Sequence, residues 1–238
     1  MRRLNRRQTL AGLGSVSLGA LLAACSDDDS PTASVETSEG NTSTAEPKGA
    51  ASDLASRFDD AASCSRTAEV TEGPFYFDVD RIRSEIREDR EGAKLRLGVR
   101  VREAGACEPI HNAVVDIWHC DATGSYSAFG EEEGETYLRG AQVTNADGIV
   151  ELTTVYPSWY QGRTVHIHAK VHIDKQTALT TQLFFSDDFS ARVFEAEPYS
   201  DAGRDSFNQN DSLYSEELEL TLSEEDEGYL GLITLDVA

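Results

Sequence analysis

The chain is poor in positive charge, in closely spaced cysteines, in long apolar runs and in histidine. Lys and Arg together number 21 against 43 Asp and Glu, a formal net charge of −22. Phosphate backbones are bound by the opposite sign, so this balance argues against a nucleic-acid partner and says nothing of the fold. Four cysteines occur without any Cys-x-x-Cys, so no spacing resembles a structural zinc site. The one apolar run near the N-terminus is too short to favour a permanent membrane span. With only five histidines in the chain, three fall in one ten-residue stretch, "RTVHIHAKVH".

The ends differ from the middle. "MRRLNRRQTLAGLGSVSLGALLAAC" (residues 1–25) has a basic start, a modest apolar run and small residues before Cys25, the layout of an export leader. Arg6-Arg7 resembles the twin-arginine type, and "LAAC" resembles a lipobox that makes Cys25 a lipidated N-terminus. The expectation is an exported protein, extracellular or a cell-envelope lipoprotein, touching membrane only through that anchor. Cleavage would remove four arginines and no acid, making the mature chain still more negative. Residues 26–60 are mostly Ser, Thr, Asp, Glu, Pro and Gly, and are expected to form a disordered acidic tether to a folded domain over 61–238. Cys64, Cys107 and Cys120 remain for one disulfide in an oxidising compartment, with the pair left open.

Strand-like runs follow one another through the domain: Lys94–Val101, Ala113–Cys120, Gly148–Val155, Thr164–Ile173, Ala178–Phe185, Leu218–Leu222 and Gly228–Val237. Gly, Asn and Asp turns separate them, which indicates an all-β antiparallel sandwich. Only "SDDFSARVFEAE" reads as helix, with a cap near Ser186 or Asp187.

In "RTVHIHAKVH" polar and apolar residues alternate, so His166, His168 and His172 share one face of a strand. Two residues apart, His166 and His168 have Cα atoms about 6.5–7 Å apart and can converge on one metal ion. His172 lies roughly 13 Å beyond His168 and is expected to stand outside that shell. A Tyr-rich turn, "VYPSWYQGR", precedes the histidines, and "DIWHCDATGSYSAFG" ends an earlier strand in a Gly-Ser-Tyr turn. Tyr126 and Tyr160 are either loop-end packing residues or phenolate ligands. Asp116 and Asp121 are the nearby carboxylates. By alternation at most one of Trp118 and His119 faces the site.

"TEGPFYFD", "VVDIWHCDATGSYS", "YPSWYQGRTVHIHAKV", "TTQLFF" and "NQNDSLY" occur here in the order found in the intradiol ring-cleaving dioxygenases, and the likeness runs from about Cys64 to the C-terminus. The chain resembles the small exported relatives of the protocatechuate and catechol enzymes. That resemblance implies the intradiol-type β-sandwich and a non-haem Fe(III) held by Tyr126, Tyr160, His166 and His168. Tyr156 ranks second for the place of Tyr160, and Tyr137 for that of Tyr126. A hard trivalent ion favours anionic oxygen beside imidazole, and two phenolates with a hydroxide cancel its charge.

The resemblance further implies that a catechol-type substrate and O2 react to give a muconate-type dicarboxylate. Tyr160 would act as base and Arg163 would stabilise charge developing on the ring. Gln182 would orient a neighbouring group, and Gly73, Pro74 and Tyr76 would line the substrate pocket with Arg163. The rival reading is a non-catalytic exported β-sandwich binding module, which needs no iron. A metalloenzyme of another type would require a third histidine or a carboxylate in the shell.

Overall fold

The computed structural model describes residues 33–36, 42–45, 53–58, 64–79, 81–199 and 203–237. The leader expected over 1–25, with Cys25, lies outside them, as does much of the segment 26–60. The strands are β1 (Ala33–Glu36), β2 (Thr42–Ala45), β3 (Lys94–Glu103), β4 (Val114–Trp118), β5 (Arg139–Val143), β6 (Ile149–Val155), β7 (His166–Ile173), β8 (Gln176–Phe184), β9 (Thr221–Glu225) and β10 (Gly228–Val237). The helix α1 spans Asp187–Val193.

Two four-stranded sheets, ordered β6-β3-β10-β9 and β5-β4-β7-β8, face one another. Alternation explains the arrangement. Leu95, Leu97, Val99 and Val101 of β3 point inward with Ile233, Leu235 and Val237 of β10, and meet Val115, Ile117, Ile167, Ala169, Val171, Leu179 and Leu183 of the other sheet. The sandwich is therefore as expected, with one difference in direction: β10 runs parallel to β3, and the other pairs are antiparallel. Strand alternation reports which face a side chain takes, not which way its neighbour runs.

Three expectations are corrected in detail. The strand β5 lies outside the strand-like runs of the sequence, because Arg139 and Gln142 are buried in it and break the apolar pattern. The strand expected at Leu218–Leu222 begins only at Thr221, after a single 3-10 turn over Glu216–Leu218. The segment 26–60 is not wholly without structure: β1 pairs with β2, and Ala45 packs on Val114 and Val143.

At the end of that segment Leu54 and Phe58 are buried against Ile149, Leu230 and Leu232 on the outer face of the first sheet. Gly98 of β3 makes room for them, since a Cβ there would lie 3.2 Å from Leu54 and 3.3 Å from Phe58. Hydrophobic burial of two large side chains outweighs the local entropy that composition alone suggested.

The helix α1 begins as expected, with Ser186 Oγ accepting from the Phe189 amide, and buries Phe189 and Val193. Cys64 and Cys107 form the disulfide, and Cys120 is a buried thiol. The bridge ties the start of the domain to the turn after β3 across 43 positions.

Candidate metal centre

The site lies on the outer face of the second sheet. His166 and His168 stand on β7 with both rings turned to that face, and their Nε2 atoms are 3.2 Å apart. Tyr126 arrives from the loop after β4. That loop is built around Asp121, whose Oδ1 accepts from the amides of Thr123 and Ser125 and from the Thr123 hydroxyl. Gly124, at φ +89°, lets this turn approach the Trp159 carbonyl closely. Tyr160 comes from a tight turn closed by reciprocal backbone bonds with Arg163. The two phenol oxygens lie 3.5 Å (Tyr126) and 3.3 Å (Tyr160) from His166 Nε2.

Burial shapes the charge of all four groups. It lowers His166 to about 3, with Arg163 adding to the effect, and puts His168 well below its ordinary value, with His166 and then Arg163 adding to the effect. Burial likewise raises the Tyr126 and Tyr160 phenols. The bare site is thus neutral, with lone pairs turned on one another. His166 Nδ1 lies 2.7 Å from the Thr164 carbonyl, which can only accept, so Nδ1 carries the proton and Nε2 is left as an acceptor. At most one proton can bridge the two Nε2 atoms, and buried His168 Nδ1 has no hydrogen-bond partner among the described residues. The donor separations fit ligands sharing one ion at roughly 2 Å, the usual first-row metal distance to nitrogen or oxygen. The residues therefore fit a metal ion with a two-phenol, two-imidazole shell.

The surroundings orient these groups. Trp118 lies flat against His168, centroids 4.9 Å apart and planes 6° apart, while His119 turns to the other side and bonds Thr154 and the Cys120 carbonyl. A Cβ on Gly73 would lie 3.2 Å from His168, so this glycine lets its loop close over the ring. Tyr76 meets Trp118 edge-on at 4.8 Å, with the Lys170 ammonium 3.5 Å from its ring centroid. Pro74 is exposed at the loop's bend. Arg163 donates from Nε to Asp211 at 2.9 Å and from its terminal nitrogen to Gln182 Oε1. Gln182 in turn donates to the Thr71 carbonyl at 2.8 Å, tying the glycine loop to the arginine.

Other candidates lie elsewhere. The Tyr156 hydroxyl is 2.9 Å from Ser190 Oγ, inside the core among Phe185 and Phe189. Tyr137 is buried beneath the Arg90 guanidinium. Asp121 is taken up by its turn, and Asp116 faces Tyr76. His172, past an irregularity in β7, meets Thr177.

Sequence reasoning passed over three participants. Phe75 stacks on Tyr126 at 4.4 Å, the place expected of an aromatic wall from its neighbour Tyr76. Arg139 donates to the Phe75 and Ser127 carbonyls and to the Ser127 hydroxyl, joining the two loops that carry Phe75 and Tyr126. Asp211 holds Arg163. The motif "NQNDSLY" was the only signal for Asp211, and Arg139 left none.

The family model described as "Dioxygenase" matches residues 71–206, which include every one of these donors. The chain belongs to the intradiol ring-cleaving dioxygenases. It is 31% identical to the intradiol ring-cleavage dioxygenase from Tetranychus urticae, covering 73% of this chain and 94% of that one, with a TM-score of 0.69. It is 30% identical to the dioxygenase domain of a dioxygenase carbohydrate-binding protein fusion from Streptomyces sp. SirexAA-E, over 73% of this chain and all of that one, with a TM-score of 0.57. Among curated relatives, chlorocatechol 1,2-dioxygenase from Rhodococcus opacus is 28% identical over 51% of this chain and 57% of its own length. The chain spans about half the length of the curated relatives it matches.

Proposed function

We propose that this chain is an exported, iron(III)-dependent intradiol dioxygenase that cleaves a catechol-type aromatic between its two hydroxyl-bearing carbons. Both atoms of O2 enter the product, a muconate-type dicarboxylate. The observation that carries the reading is the convergence of Tyr126, Tyr160, His166 and His168 through their oxygen and Nε2 atoms. The family's fold and the curated relatives named as catechol and chlorocatechol 1,2-dioxygenases support it.

Tyr126, Tyr160, His166 and His168 would hold the iron. Bound there, it would supply Lewis-acid chemistry toward a catechol-type substrate. Two anionic phenolates would offset its charge in a buried site.

The protein's own residues do the remaining work. Tyr160 is only partly buried and sits at a turn, so as the phenolate it would become on binding iron it can turn away and take a proton from a catechol hydroxyl. Arg163 lowers the pKa of Tyr160 through its charge and a hydrogen bond, against the larger effect of burial. The same guanidinium stabilises negative charge on the ring as it develops. Phe75 stacks on Tyr126 and the Gly73 loop passes close to His168, an arrangement that would keep water from the ligand atoms.

The test is a visible absorption spectrum of the iron-loaded protein before and after anaerobic addition of catechol, followed by oxygen uptake. A broad phenolate-to-iron band that moves to longer wavelength with catechol, and ring-cleaved product on admitting O2, are expected. A protein that stays colourless after reconstitution with iron would overturn the reading.

A further inference from the structure

The segment from Ser206 to Asp211 clasps the turn that carries Tyr160 and Arg163. Ser206 Oγ accepts from the Gly162 amide at 2.8 Å, and Asn208 Oδ1 accepts from the Thr164 hydroxyl at 2.7 Å. Asp211 makes the central contacts. Its Oδ2 accepts from Arg163 Nε at 2.9 Å and from the Thr164 amide at 3.0 Å, and its Oδ1 accepts from the Leu213 amide at 2.9 Å.

Two features set this carboxylate apart from an incidental ion pair. Its side chain is 2% exposed, so its charge is weakly screened by solvent. It also grips two things at once. One is the guanidinium; the other is the backbone of Thr164, whose carbonyl receives the Nδ1 proton of His166 at 2.7 Å. Burial works to raise the Asp211 pKa, but the Leu213 amide and the Arg163 guanidinium hold it below the ordinary carboxylate value, so the group is charged at neutral pH.

We propose that Asp211 is a positioning residue for the reaction, fixing Arg163 and the His166 ring in one register through a single buried carboxylate. Gln182 completes the frame from the other side by accepting from Arg163 and donating to the Thr71 carbonyl. Arg163 is thereby held in a fork, with its aim set before substrate arrives. This inference rests on the proposed ring-cleavage function.

The experiment compares the parent protein, Asp211→Asn, Arg163→Met and the double variant for kcat, KM, iron content and the phenolate-to-iron band. Removal of one preorganised electrostatic group typically lowers kcat about 100-fold, and loss of its aim is expected to lower kcat by at least about tenfold in Asp211→Asn. Iron should be retained while the band maximum shifts, because His166 turns on its Thr164 bond. The decisive comparison is the double variant, which should be within about twofold of Arg163→Met alone, since two residues acting as one unit are not additive.

Parent-like kcat and band in Asp211→Asn would overturn the proposal, as would a double variant that shows the product of both losses. If Asp211→Asn does not fold, Asp211→Glu carries the same comparison, keeping the charge while displacing the guanidinium by one methylene. Parent-like kcat and band in that variant would overturn the proposal equally. Failure of the underlying function is visible separately, as a parent protein with no phenolate-to-iron band.

Discussion

The outer faces of the two sheets carry polar residues to opposite ends. On the first sheet, Arg96 meets Glu151 and Glu225, each at 2.8 Å, and Arg102 makes a paired contact with Asp236 at 2.9 and 3.1 Å. Leu54 and Phe58 fill the hollow over Gly98 between them. On the second sheet, Lys170 pairs with Glu72 at one end of the face, but His166, His168 and Trp118 stand together beside it without an ion-pair partner among the described residues. His168 Nδ1 and Trp118 Nε1 are buried without a hydrogen-bond partner among the described residues. One face is satisfied and serves stability. The other gathers the Nε2 atoms of His166 and His168 with two phenol oxygens at one spot, an excess of acceptor capacity that a cation would meet.

That contrast predicts where substitutions act. The largest effect is expected from His168→Ala, which removes one of four donors: iron content and ring cleavage should both fall by at least about 100-fold, while the metal-free protein still folds, with a melting temperature lowered by the cavity left against Trp118. Metal analysis and oxygen uptake check this, and full iron occupancy in that variant would break the contrast.

On the first face the effect should be on stability alone. Leu54→Ala empties a fully buried position and should cost about 2–4 kcal/mol in urea unfolding, with kcat unchanged in the folded protein. An unchanged unfolding midpoint would mean that the segment does not cover that face in solution.

A pH-dependent difference comes next. Asp116, on the second face, is raised to about 7 by burial, with Asp78 adding to the rise while Tyr76, Lys170 and Arg139 oppose it. Its protonated form is favoured in the folded state, so its contribution is full below about pH 4 and is lost as pH climbs through 7. Asp116→Asn should therefore gain on the parent between pH 4.5 and 7.5 by on the order of 1–3 kcal/mol, read from paired urea melts. A difference that is flat across this range would place the carboxylate in a solvated setting.

The smallest effect belongs to the first face again. Arg96 and its carboxylates are partly solvated, so Arg96→Gln should cost about 0.5–1 kcal/mol, and less at high salt.

Much of this was legible in the linear order of residues. The strands β3, β6 and β7 follow from alternation, and the same alternation puts His166 and His168 on one face with His172 farther along. The strand β5 was not legible, because Arg139 is buried by virtue of acceptors from Phe75 and Ser127 that no local pattern announces. Phe75 and Tyr76 also look equivalent in sequence; the loop's path alone turns Phe75 onto Tyr126 and Tyr76 onto Trp118.

By itself, then, the sequence determined the periodicity that makes two faces, the pair of imidazoles on one of them and the motifs that mark the family. Only the tertiary structure decided that Tyr126 and Tyr160, rather than Tyr137 and Tyr156, reach those imidazoles, that Cys64 pairs with Cys107, and that Asp211 grips Arg163 from 48 positions away. The reason is physical. Backbone alternation is a local property of the chain, whereas the meeting of distant side chains depends on how two sheets pack and how their loops close over the open face.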